Sequence, residues 1–284
     1  MRTFALTVAH NESFFLPRWA AYYGAQLGIE NLFIVDHGST DLSTLGLGRS
    51  NVIRVPHDTY DEALRVKFVS HMHTALLSYY DAGFVSDADE FLIADPAKYK
   101  TLNELASHDE SKALAPIGAD LFHIRAVEPE FLGHLPILHQ RSHILFNSWF
   151  CKRAFARVPV RFGMGFHTSN EPVVFNESLF LLHLKYFDYS YSMARQSVTA
   201  GWKYAGDFGS HAKQPPRYVK GLFDHVDALF RAKKVSSSMK FADETKGCLD
   251  RMIVNSSGEY DFNVESGTIG KDLRALPERF RTLF

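Results

Sequence analysis

Short apolar runs, each closed by a polar cluster, organise the first third of the chain. Residues 3–9 (TFALTVA) form a run of strand formers that ends in His10, Asn11 and Glu12. Residues 13–28 (SFFLPRWAAYYGAQLG) place Phe15, Trp19, Tyr22, Tyr23 and Leu27 at helical spacing, with Pro17 in the first turn and Gly28 as a stop. A second apolar run, 31–35 (NLFIV), leads into DHGSTD, and 52–55 predicts another short strand. Leu64, Phe68, Met72, Leu76 and Leu77 predict a helix over 61–80, and 83–86 a strand that delivers Asp87.

Strand, helix, strand, strand, helix, strand is the alternation of an α/β layer with a mostly parallel sheet. Ligands bind such sheets at the carboxyl ends of the strands. HNE, DHGSTD and SDADE each follow an apolar strand, so the pattern gathers three polar clusters at one end of one sheet.

Beyond Asp95 the pattern loosens. Strands are expected at 113–122, 149–156 and 178–184, and helices at 188–205 and 218–234. The expected organisation is a catalytic domain over 1–205 and an extension over 206–284. The domain divides into a ligand-binding half, 1–95, and an acceptor half, 96–205.

Composition narrows the class. The chain has 284 residues, 46% of them hydrophobic and 14% aromatic, which supplies a large core. A net charge of −1 makes nucleic acid a poor main partner. Two cysteines, Cys151 and Cys248, without a CxxC spacing, exclude a disulfide framework and a structural zinc site. With no signal-like apolar run at the N-terminus and no window of about 18 apolar residues, a cytoplasmic protein is expected.

The stretch FVSDADEF at 84–91 carries the chemistry. Read as a strand, it points Asp87 and Asp89 to one face and Glu90 to the other. Two converging carboxylates repel unless a cation lies between them, and hard oxygen ligands suit Mg²⁺ or Mn²⁺. A calcium loop is excluded, since DADEFLIADPAK lacks the glycine at position six and the glutamate at twelve. The simpler alternative is a solvated acidic turn.

Residues 9–41 (AHNESFFLPRWAAYYGAQLGIENLFIVDHGSTD) and FVSDADEFL together resemble the opening of the family 2-like glycosyltransferases, the group that also resembles family 92. FCKRAFARV and HLKYFDYS resemble later elements of the same group. The resemblance implies a GT-A fold, Rossmann-like, with flanking helices and a C-terminal helical extension. It also implies hexosyl transfer from a nucleotide-sugar donor, a UDP-sugar first, to a hydroxyl of a glycan or lipid-linked acceptor, with Mn²⁺ or Mg²⁺ at the DxD motif and inversion as the expected course.

Carried onto this chain, the resemblance gives donor-binding roles to Asn11, Glu12, Asp36, Asp41 and Asp87. Asp89 becomes the principal metal ligand, Asp87 a second one, and His183 a third, with His167 its rival. Arg65, Lys67 and Lys152 are the basic residues expected to face the donor diphosphate. The chain departs from the pattern at Arg18, at Asp36-His37, and in having no xED-type element for the general base. Glu128, Glu130, Glu171 and Glu177 are then candidates, with Glu171 preferred beside the flexible FGMGFHTSN segment.

Two alternatives stay open. A nucleotidyltransferase would use a similar layer, although HNESFF stands where its Gly-rich phosphate loop would be. A non-catalytic nucleotide-sugar-binding protein would account for the missing base. The amphipathic stretch 217–234 could lie on an anionic membrane at the inner face, but its apolar stripe reads more simply as a helix packed on the protein's own core.

Overall fold

The structure is a computed structural model that describes residues 1–56, 59–205, 214–263 and 266–284. Its centre is one large sheet flanked by helices. The first strands are β1 (Thr3–Ala9), β2 (Leu32–His37), β3 (Asn51–Val55) and β4 (Ala82–Val85), in the order β3-β2-β1-β4 and all parallel. Helix α1 (Phe15–Leu27) links β1 to β2, and α2 (Glu62–Leu76) links β3 to β4. The chain adds strands on one side of β1 and then crosses to the other, so a switch point lies between β1 and β4.

Strand β5 (Glu90–Ala94), helix α3 (Leu102–His108) and strand β6 (Ala113–Phe122) follow, then a short α4 (Ile137–Gln140), β7 (His143–Phe146), β8 (Phe155–Ala156) and β9 (Phe175–His183). β8 joins β4 to β6, both antiparallel, and β6 runs parallel to β9. β1, β2, β3, β4, β6 and β9 therefore all point one way, and β5, β7 and β8 run against them. The expected α/β fold with a mostly parallel central sheet is the fold of this chain.

Alternation along the strands builds a core on each face. Ala5 and Ala9 of β1, Leu32 and Ile34 of β2, and Phe84 of β4 pack with Trp19 and Tyr23 of α1. Phe4 and Leu6, Val35, and Val85 pack on the other face with Val66 and Val69 of α2.

Three expectations change. The predicted strand over 149–156 is a 3₁₀ turn at Ser148–Phe150, then irregular chain, with only β8 extended. Asn147 caps that turn through Trp149 N–H at 3.1 Å. Lys152 and Arg153 are both buried there, whereas a strand would send neighbours to opposite faces. The helix expected over 188–205 is α5 (Tyr189–Thr199), capped by Asp188, and the boundary expected at 205/206 borders residues outside the description.

The C-terminal part belongs to the same core and is only partly helical. Helix α6 (Pro216–Arg231) buries Val219, Phe223, Val226 and Leu229 against Phe122, Ile124, Leu145 and Leu273. The apolar stripe considered for a membrane surface is thus already covered. After α6, the short strand Val235–Ser236 pairs with Leu273–Ala275, which in turn pairs with β7. Helix α7 (Ala242–Asp250) lies between those two short strands in the chain. Leu276 and Phe280 join the main core. Among the described residues no helix is long and apolar enough to cross a membrane.

Candidate functional site

The carboxyl ends of β1, β2, β4, β6 and β9 meet at one end of the sheet, and their polar residues form one connected network. Helix α1 fixes the turn at its centre. Trp19 Nε1 donates to Ser86 Oγ at 3.0 Å, Tyr23 Oη donates to Glu90 O at 3.2 Å, and Leu92 N–H donates to Tyr23 Oη at 2.8 Å. Buried aromatic rings with polar tips thus hold both ends of SDADE.

Within that turn the strand picture fails, because β4 ends at Val85 and β5 begins at Glu90. Asp87 and Asp89 lie in a turn and are taken by different partners. Asp87 accepts from Arg65 Nη1 at 2.7 Å and Lys152 Nζ at 3.4 Å. Burial acts to raise its carboxyl, but the Arg65 and Lys152 cations hold it well below the usual range. Glu90, expected to face away, is buried and lies 2.6 Å from Lys152 Nζ, with its other oxygen accepting from Asp87 N–H at 3.0 Å. Arg65 also grips Glu62 at 2.7 Å. Arg65 and Lys152 therefore serve the protein's own carboxylates.

Asp89 is different. Its side chain is 30% exposed, much like that of Asp87 at 29%, but its ion-pair partner is His183, with Nε2 at 3.5 Å. His183 Nδ1 lies 2.6 Å from Asp120 Oδ1 on β6, and the Phe150 ring stacks on the imidazole at 4.1 Å. Register sets this up: His183 stands opposite Glu90 on β5 and opposite Asp120 on β6. Burial works against a charged imidazole, but Asp89 and Asp120 raise His183 to about 10. Burial likewise pushes Asp89 up, and His183 brings it below the ordinary value.

From the other side of the switch point comes Glu12. It is buried, accepts from Arg195 and from Tyr191 Oη at 3.4 Å, and is pushed up to about 7 by burial, with Arg195 opposing and Asp89 adding. Tyr191 and Arg195 lie four residues apart on α5 and so share a face. Arg195 also lies over the Trp202 ring at 5.4 Å. Sequence reading missed Tyr191, Arg195 and Asp120. The i, i+4 pair was visible in the sequence, but the carboxylate it serves was not.

The remaining expected residues lie in the loop beyond β1 and β2 or farther off. Asn11 adopts φ 50°, which its residue type tolerates, and its side-chain oxygen accepts from Thr40 N–H at 2.7 Å and Asp41 N–H at 3.2 Å. Asp36 accepts from Ser39 N–H at 2.7 Å and from Arg54 at 2.7 Å, so it holds the turn. Asp41 caps the same loop through Ser43 N–H at 3.0 Å. Lys67 lines a separate cleft of about 530 Å³ with His71 and Arg161. Glu171 sits in a turn closed by Ser169, with its carbonyl held by Arg153 at 3.1 Å. Among the described residues no contact joins it to Asp87, Asp89 or His183. His167, the rival to His183, is 2.8 Å from Trp149 O.

No family model matches the chain, and no curated protein matches it. Among solved structures, the chain is similar to mannose-1-phosphate geranyltransferase from Thermus thermophilus. The likeness covers 42% of each chain at 13% identity, with a TM-score of 0.30. A likeness so partial carries no functional reading.

The donor set can be tested against a divalent metal. His183 is charged without metal, with Nδ1 on Asp120 and Nε2 facing Asp89; an ion could take Nε2 as a ligand beside Asp89, the carboxylate–histidine–metal arrangement, only by displacing that proton. Asp87, held by two cations, is a poor direct ligand. Among the described residues no group of three or more His, Cys, Asp or Glu side chains could hold a metal ion.

Proposed function

We propose that this chain is a metal-dependent glycosyltransferase of the family 2-like, GT-A type, acting on a nucleotide-sugar donor, a UDP-sugar first, and a hydroxyl of a glycan or lipid-linked acceptor. The observation that carries the reading is the asymmetry of the DADE turn. At the switch point of a parallel sheet, Asp87 is neutralised by two fixed cations, while Asp89, exposed to the same degree, faces only His183, which is backed by Asp120. A structural acidic turn would not need a histidine wedged between two carboxylates behind one of its members.

In this reading Asp89 and His183 would hold Mn²⁺ or Mg²⁺, which would offset charge on the leaving diphosphate. Asp87, Arg65, Lys152 and Glu90 hold the turn in shape. Asn11, Asp36 and Asp41 shape the loop beyond β1 and β2 that would meet the nucleoside. For the general base, Glu12 is better placed than Glu171. It belongs to the cluster, and a carboxyl near 7 can both accept and return a proton at neutral pH.

The test is turnover. Purified protein with Mn²⁺ is incubated with a panel of nucleotide sugars and a broad acceptor panel, and the released group is identified. Nucleoside diphosphate with a glycosylated product supports the reading, and the anomer of that product decides inversion. A parallel incubation with nucleoside triphosphates and sugar 1-phosphates that releases pyrophosphate, with no nucleoside diphosphate formed from nucleotide sugars, would make the chain a nucleotidyltransferase. Binding without any turnover across the panel would leave a nucleotide-sugar-binding protein.

A further inference from the structure

Among the described residues, the buried or half-buried cations around the strand ends have, with one exception, counter-charges or sets of acceptors. Arg65 has Glu62 and Asp87, Lys152 has Glu90 and Asp87, Arg141 has Asp188, and Arg195 has Glu12. Arg153 donates to three backbone carbonyls. Lys185 breaks the rule. It stands two residues past His183, just beyond the end of β9, and is half-buried. Among the described residues no carboxylate lies within ion-pair distance of its ammonium. Asp89 and Asp120 attract it from further away, Arg195 repels it, and the Tyr186 ring lies 5.7 Å off.

Its position is fixed on both sides. Leu184 N–H donates to Asp89 O at 2.8 Å, and Ser192 Oγ donates to Lys185 O at 2.7 Å. The backbone is thus stitched to the DADE turn and to α5, so Lys185 is held beside Asp89 by main-chain bonds and not by its own charge. Withdrawing an ammonium from water without a partner is costly. A site that keeps such a charge ready gains from it only when an anion arrives.

We infer that Lys185 is the cation that meets the diphosphate of the donor, the role the sequence pattern suggested for Arg65 and Lys152. This rests on the glycosyltransferase reading and adds a residue to it. A cation carried beside Asp89 would contact phosphate oxygens as charge builds on the leaving group, and it would do so without consuming the carboxylate that holds metal.

The experiment measures binding of UDP, inorganic pyrophosphate and uridine, each with Mg²⁺, to wild type, Lys185→Met and Lys185→Arg, together with thermal unfolding of each protein without ligand. The expected result has three parts. Lys185→Met loses about ten- to a hundredfold in affinity for UDP and pyrophosphate and none for uridine. Lys185→Arg keeps most of the affinity. Without ligand, Lys185→Met melts no lower than wild type, because it removes an uncompensated charge. Lys185→Gln gives the same reading should the methionine variant not fold. Unchanged UDP and pyrophosphate affinity in Lys185→Met overturns the inference, and so does a ligand-free melting loss of the size expected for a broken buried ion pair. If wild type binds neither UDP nor pyrophosphate, the glycosyltransferase reading itself falls and takes Lys185 with it.

Discussion

Two buried histidines, one on each side of this protein's architecture, have opposite fates. His73 on α2 lies in the apolar layer beneath the sheet, with the Phe4 ring 5.5 Å away and the Phe162 ring 5.8 Å away, and neither ring nitrogen has a hydrogen-bond partner. Burial alone lowers it to about 4. His183, also buried, is wedged between Asp89 and Asp120 and rises to about 10 despite the same penalty. Burial does not decide the charge of a histidine; its partners do. The layer beneath the sheet excludes charge, and the strand ends collect and pair it.

Linkage gives the two regions separate windows. His73 has a depressed value, so the stability it permits is present above about 6.5 and is lost as pH falls towards about 4. His183 has a raised value, so its contribution is full below about 6.5 and is lost as pH rises through about 10.

The comparison can be broken most severely at Lys152. Lys152→Met leaves Glu90 and Asp87 buried with one fewer cation and should cost about 3–5 kcal/mol in denaturant unfolding at pH 7. If the loss is below about 1 kcal/mol, the strand-end network is not paired as described. Asp120→Asn comes next. It weakens a charge-assisted bond worth about 2–3 kcal/mol, and in the metal-free protein it should lower the His183 titration seen by NMR, sharpening the role of partners. His73→Leu should recover about 2 kcal/mol at pH 5 relative to its effect at pH 8; an equal effect at both pH values would mean His73 is not held neutral. The smallest effect belongs to Arg54→Ala. Its side chain is 60% exposed beside Asp36, so the change should stay below about 1 kcal/mol and shrink further in high salt.

How much of this was legible in the sequence depended on range. The first four strands and α1 were written in local periodicity, as was the gathering of HNE, DHGSTD and SDADE at one end; α2 was found as a helix, but Leu64 and Phe68 of the stripe that predicted it are exposed and it packs through Val66, Val69 and His73. Helix α3 was missed although Thr101 and Glu104 form a readable cap, with Glu104 N–H donating to Thr101 Oγ1 at 3.0 Å. Partner choice was not legible. Asp87 and Asp89 look alike in the sequence, and only the packing of α2, the 148–154 turn and β9 gives one to Arg65 and Lys152 and the other to His183. Arg65 and Lys152, singled out for the donor diphosphate, lie in the cluster, where each is ion-paired to the protein's own carboxylates. Lys185 was hidden for the same reason: a lysine after an apolar strand announces nothing until its neighbours are seen to leave it without a counter-charge.

The central claim is that Asp89, and not its neighbour Asp87, which two fixed cations hold, is the metal-facing carboxylate of a nucleotide-sugar site. The most direct measurement is the thermal unfolding of wild type and Asp89→Asn with UDP, with Mn²⁺, and with both together. The account predicts that the pair stabilises wild type far beyond either alone, by about 2.7 kcal/mol at a hundredfold excess over Kd, and that Asp89→Asn abolishes the synergy while remaining folded. A wild type indifferent to UDP in the presence of Mn²⁺, or an Asp89→Asn variant that keeps the full synergy, would contradict it.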